Sequence, residues 1–137
     1  MDDQRQTPKP PRAPLGQRLG MEVIEASPRR TIVRMPVEGN TQIAGVLHGG
    51  ATAALCETAG SIAAYLHAQS IDEALIAVGT DLTVAHLRPI RQGHVTATAT
   101  AEHLGKRTTV HNIAVRDEHD RLISTCIARN MVIPREG

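Results

Sequence analysis

The chain lacks tryptophan and phenylalanine altogether, and Tyr65 is its single aromatic residue. A platform for stacking single-stranded nucleic acid needs several rings, so that class of partner is excluded. An excess of one charge is lacking too. Fifteen Lys and Arg against fourteen Asp and Glu leave a formal charge of +1, which argues against the basic face of a general nucleic-acid binder. The chain contains no apolar run of the roughly 18 residues or more that mark a membrane-spanning helix. The opening Met1-Asp2-Asp3-Gln4-Arg5 is polar and leads into prolines, unlike a secretory signal. Cysteine is scarce, and Cys56 and Cys126 fit no Cys-x-x-Cys metal or redox pattern. A reduced cytoplasmic protein is the simplest reading.

What remains is a chain of 137 residues, 41% hydrophobic, the size of one domain. Val, Ile, Leu and many Ala must fill its core. Small side chains bury little apolar area each, so the chain is expected to oligomerise. Residues 1–14, with Pro8, Pro10, Pro11 and Pro14 among polar neighbours, read as a flexible tail before a single domain over 15–137. Leu15 to Gly20 fits one short helical turn, and Met21 to Ser27 and Thr31 to Met35 fit a hairpin around Pro28-Arg29-Arg30. A loop over Val37 to Leu47 leads to a run from Gly49 to Ala68 that is small or apolar nearly throughout. That run is too long for a strand and predicts a helix buried on most sides. Strands follow over Ile76–Leu87, Gly93–Leu104, Thr108–Arg116 and Leu122–Ile133, with connections short enough for antiparallel hairpins. The order β-β-α-β-β-β-β predicts an α+β fold, an antiparallel sheet of about six strands curled round one long helix.

Within that helix Glu57 is the sharpest chemical signal. Burying a carboxylate costs several kcal/mol unless partners compensate, so stability alone favours Ala or Leu there. An exposed stripe of the helix is the alternative reading. Ser61, four residues on, shares its face. His48-Gly49-Gly50 immediately precedes the helix, where the first N–H groups lack internal partners and the dipole is positive. Such an end suits an oxyanion, and it also suits a tight turn that needs glycine. Gln42 could donate from the loop, and His86 closes a strand just before Arg88-Pro89. Arg88, Arg91, Lys106 and Arg107 cluster at turns, as phosphate contacts or as solvated charges. The other histidines show no ligand spacing, so no metal is assigned, and no Gly-x-Gly-x-x-Gly or Walker loop is present. Cys56 points about 100° away from Glu57 around the helix and reads as a core residue.

The segment Gly45-Val46-Leu47-His48-Gly49-Gly50-Ala51 followed by Glu57 resembles the hot-dog-fold acyl-CoA thioesterases, most nearly the PaaI-like branch with a catalytic glutamate. The likeness spans about residues 15–134 and includes the strand from Val78 to Pro89 and the hairpin from Glu102 to Arg107. It implies a hot-dog fold and hydrolysis of an acyl-CoA to free acid and coenzyme A, with no cofactor beyond the substrate's own coenzyme A. It implies that Glu57 attacks the thioester carbonyl or activates water, that the Gly49 N–H holds the oxyanion and that Gln42 polarises the same carbonyl. By the same likeness His48 shapes the helix start, Ser61 positions water or leaving group, and His86 lies near the thioester. Gly79, the run His86, Leu87, Arg88 and Pro89, and the run His103, Leu104, Gly105, Lys106, Arg107 and Thr108 match segments that contact coenzyme A. The family's sites lie between two subunits, with the acid and the oxyanion donor supplied by different chains, which implies a homodimer at minimum and a homotetramer as the expected assembly. An acyl pocket lined by aromatic rings cannot be built from this chain. A non-catalytic acyl-CoA sensor on the same fold is the competing reading, and a retained acid argues against it.

Overall fold

The computed structural model describes residues 13–136. Most of the tail expected over 1–14 lies outside the described residues. Pro14, assigned to that tail, instead opens a short helix α1 (Pro14–Arg18), where its fixed φ suits the first helical position and its missing N–H is no loss. The remaining elements are β1 (Glu22–Glu25), β2 (Arg30–Pro36), α2 (Gly49–Ile71), β3 (Leu75–His86), β4 (His94–Leu104), β5 (Thr108–Asp117) and β6 (Leu122–Pro134). One sheet in the order β1-β2-β4-β5-β6-β3, antiparallel throughout, packs against α2. This is the hot-dog architecture that the element order implies.

The strands form because their residues alternate. Thr31, Val33 and Met35 on β2 and Val95, Ala97 and Ala99 on β4 are buried against α2, while their neighbours look outward. Small residues on both surfaces let helix and sheet approach closely. A Cβ added at Gly60 would stand 2.9 Å from the Ala128 Cβ, so glycine is required by contact there, at some cost in helix propensity. The resulting core is aliphatic, with Leu55, Met35, Val37 and Val115 fully buried among alanines. Cys56 is fully buried in it, and Cys126 nearly so. A hydrogen bond with Cys126, together with burial, pushes the Cys56 thiol far above its usual range, so it is packing and no nucleophile.

The two sheet edges differ. β1 has four residues, whereas β3 presents twelve. A long edge strand exposes a row of backbone donors and acceptors that another strand can pair. Val78 on β3 is also exposed, and no Pro or Lys interrupts the strand.

One buried polar residue gives the fold a pH dependence. The His111 side chain is fully buried, and its Nε2 pairs with the Pro28 carbonyl at 2.8 Å. Burial holds its pKa below the ordinary histidine value. Between the folded and unfolded values the unfolded chain binds more protons, so stability rises with pH there. The contribution is present above the unfolded value, about 6.5, and is lost as pH falls from there toward the folded one. Urea midpoints at pH 7.5 and 5.5 should therefore separate more for the parent than for His111→Gln. Equal separations would exclude His111 as the source.

Candidate active site

Two imidazole rings explain the start of α2. His48 is its N-cap, with extended backbone at φ −64° and ψ 127°, and its Nδ1 accepts the Gly50 N–H at 2.8 Å. This satisfies one of the donors that a helix start leaves orphaned. The ring then occupies the space a side chain at Gly50 would need, since a Cβ there would lie 2.8 Å from His48 Cε1. Gly49 is crowded from another direction: its Cβ would lie 2.8 Å from His86 Nε2. The Ala51 and Thr52 N–H groups both donate to the His48 carbonyl, at 3.0 and 3.2 Å. Among the described residues the Gly49 N–H has no acceptor.

His86, at the end of β3, is held in place by a hydrogen bond between its Nδ1 and the buried Ser124 hydroxyl at 3.0 Å. That bond leaves Nε2 facing Gly49. Gly49, His86, Leu87, Arg88 and Pro89 line one cleft of about 310 Å³. Its charge is favourable to anions, from the helix N-terminus and the exposed Arg88. Gln42 is not among the lining residues. Its side-chain oxygen accepts the Ala44 N–H, and its backbone pairs with Val46 and Gly45, so it is folded into its own loop. That loop is anchored by Asn40, whose Nδ2 donates to the Leu19 and Pro36 carbonyls at 2.8 Å each. Arg91 donates to the Ala44 carbonyl at 3.1 Å and is committed to the same loop.

Glu57 belongs to a second cluster. Eight residues separate it from Gly49, a distance of ~12 Å along the helix axis at 1.5 Å per residue. The shielding expected for its carboxylate is not supplied by its own chain, in which Glu57 is exposed. The carboxylate lies over β3 at Gly79, where an added Cβ would come 3.1 Å from Glu57 Oε1. Glycine there keeps the acid's seat open. Ser61 is one turn on, half-buried, and its Oγ accepts a long hydrogen bond of 3.4 Å from Asn130 Nδ2.

The hairpin His103–Thr108 forms a third group. The Gly105 carbonyl pairs with His67 Nε2 at 2.7 Å, ten residues beyond Glu57 on α2 and so ~15 Å along its axis. A Cβ on Gly105 would meet His103 Nε2 at 2.5 Å and the Thr108 carbonyl at 2.9 Å, so the turn there admits only glycine. Lys106 and Arg107 are exposed at its tip. The candidate residues thus form three groups spread along one helix.

Sequence reasoning missed Ser124 and Asn130, both buried. The alternation Ser124, Cys126, Ala128, Asn130 on β6 carried the signal. A polar residue on a core-facing row needs a partner, and here the partners are His86 and Ser61.

The thioesterase superfamily model matches residues 44–124, more than half of the chain and all of α2 and β3. A Deinococcus radiodurans protein named as an esterase is 42% identical over 112 residues, covering 82% of this chain and 69% of that one. The Bacillus subtilis esterase ComA2 is 40% identical over 112 residues, covering 81% and 86%. Among solved structures, a Haemophilus influenzae thioesterase superposes with a TM-score of 0.81 at 37% identity, covering 88% of this chain and 82% of that one. The Escherichia coli PaaI protein from the phenylacetic acid degradation operon gives 0.76 at 25% identity, covering 87% and 83%. Fold, motif and sequence agree that this chain belongs to the thioesterase superfamily.

Proposed function

We propose that this thioester hydrolase cleaves acyl-coenzyme A to a free acid and coenzyme A, at a site completed by two copies of the chain. The observation that carries the proposal is the separation of donor and acid. Gly49, whose N–H has no acceptor among the described residues, lines the cleft with His86, while Glu57 stands ~12 Å along the same helix. Groups that act on one carbonyl must each come within about 3 Å of the reacting atoms. One chain cannot bring them together, and a second copy can.

The free edge of β3 supports the geometry. Antiparallel pairing of two β3 strands about an axis near Leu82 and Thr83 sets His86 of one copy opposite Gly79 of the other. The cleft at Gly49 then meets the carboxylate at Glu57 twice, once on each side of the axis. The pairing also shields Glu57, which its own chain leaves open. A homodimer is the minimum active unit, with the homotetramer as the expected assembly.

In this site the thioester oxygen sits on the Gly49 N–H, with the positive end of α2 behind it. Glu57 of the other copy attacks the carbonyl carbon or takes the proton from an attacking water. Negative charge gathers on the held oxygen. As it collapses the C–S bond breaks and the thiolate of coenzyme A leaves, taking up the proton that Glu57 drew from water; where Glu57 itself attacked, water then hydrolyses the acyl-glutamate anhydride to the free acid and supplies that proton. A thiolate is a far weaker base than an alkoxide and needs little acid assistance to leave. In this reading the exposed side chains of Arg88, Lys106 and Arg107 meet phosphates of the long leaving group.

A thiol-release screen over aromatic, short-chain and long-chain acyl-coenzyme A esters tests the proposal, with calorimetric binding measured alongside. Turnover of at least one class is expected. Binding without thiol release across the panel would favour the sensor.

A further inference from the structure

Asn130 lies beneath Glu57 and Ser61, and the mechanism above does not use it. It is 2% exposed, on the core-facing row of β6. In register it stands between Gly79 of β3 and Thr109 of β5. Its Nδ2 donates to Ser61 Oγ at 3.4 Å and lies 4.0 Å from the point that a Gly79 Cβ would occupy, the same point from which Glu57 Oε1 is 3.1 Å. One empty position at Gly79 is therefore bordered by the acid on one side and by a buried amide on the other. A buried amide carries a desolvation cost that packing alone gives no reason to accept. An apolar residue would suit the neighbouring Ala128 and the alanines of α2 better.

The direction of the hydrogen bond supplies the reason. An amide Nδ2 can only donate, so Ser61 Oγ is the acceptor and its own proton is free to point elsewhere. Glu57 and Ser61 are four residues apart on one helical face. With the Asn130 amide on one lone pair of Oγ, the Ser61 hydroxyl proton is left to donate elsewhere on the helical face that Ser61 shares with Glu57.

We propose that Asn130 is a positioning residue of the hydrolytic site: by donating to Ser61 Oγ it turns the Ser61 hydroxyl proton toward the Glu57 carboxylate and the water beside it. The inference rests on the assignment of Glu57 as the reacting acid. Asn130 then joins Ser124 as a second β6 residue that supports the site.

The test is steady-state thiol release on the dimeric full chain, with the best ester from the screen, for Asn130→Ala, Ser61→Ala and the double variant. Removing Asn130 should lower kcat about tenfold, the loss expected for one well-placed hydrogen bond, with KM within about twofold. The double variant should be no worse than the poorer single, because both break one relay. Asn130→Asp keeps the side-chain volume that alanine removes, and circular dichroism checks that it folds despite the buried carboxylate. Its carboxylate accepts the Ser61 proton and sets a negative charge beside Glu57, so the acid limb of kcat/KM should move to higher pH. A purely structural role would instead lower the urea midpoint and leave kcat and pH profile of the folded enzyme unchanged, which would overturn the proposal. Multiplicative losses in the double variant would overturn it as well. If Glu57→Ala retains parent turnover, the underlying assignment has failed, and that result is separate from any outcome at Asn130.

Discussion

Glu57→Ala is expected to abolish thioester turnover, with kcat falling by at least about 10³-fold, within the range that a positioned acid–base group contributes. Folding should survive. Glu57 is exposed on its own chain, no hydrogen bond to its carboxylate is made among the described residues, and alanine is the better helix former. Glu57→Gln refines the test, since it keeps size and polarity and removes only the ionisable oxygen. Both variants should keep the parent's circular dichroism and assembly state, and both should still bind the substrate. Thiol release at the parent rate from either variant would remove the carboxylate from the mechanism.

Gly49→Ala is the second large effect. The new Cβ would stand 2.8 Å from His86 Nε2 and 3.2 Å from its Cδ2. The Ser124 hydrogen bond holds that ring from the far side, so the ring cannot yield without breaking it. The added methyl also crowds the one N–H of the helix start that lacks an acceptor among the described residues. Loss of a single oxyanion donor costs on the order of 10²–10³ in kcat, and blocking its approach should cost roughly 10². Alanine is otherwise favourable in a helix, so the urea midpoint should not fall in proportion. A change below threefold would mean that the thioester oxygen does not approach Gly49.

Much of the fold was legible because its signals are local. The alternation in Val95 to Ala101 and the long small-residue run from Gly49 each fix an element type on their own. The reason for Gly60 was not legible, because it is a contact with Ala128, a residue 68 positions away. The site divided the same way. His48, Gly49 and Glu57 were visible as a motif, and the structure adds that His86 is what makes Gly49 a glycine. Gly49 and Glu57 fall on one helix, and its rise of 1.5 Å per residue sets them ~12 Å apart from the sequence alone. The structure adds the strand residues that each one meets, His86 at Gly49 and Gly79 at Glu57. Gln42 was expected to face the carbonyl, and within one chain its side chain turns back to Ala44 instead. Arg91 reads from the sequence as either a phosphate contact or a solvated charge, and its contact with the Ala44 carbonyl gives it a structural role in the loop. Ser124 and Asn130 show in the sequence only through the alternation of β6, because their partners His86 and Ser61 lie 38 and 69 positions away.

Subunit complementation tests the shared site most directly. Glu57→Ala and Gly49→Ala chains, each inactive alone, would be co-refolded at equal amounts and mixed dimers verified by native mass spectrometry. In a two-fold dimer whose site takes Gly49 from one copy and Glu57 from the other, each mixed dimer holds one fully intact site. Random assortment then restores about a quarter of the parent activity. Verified mixed dimers with no activity above that of the Glu57→Ala and Gly49→Ala homodimers would mean that donor and acid do not come from different chains.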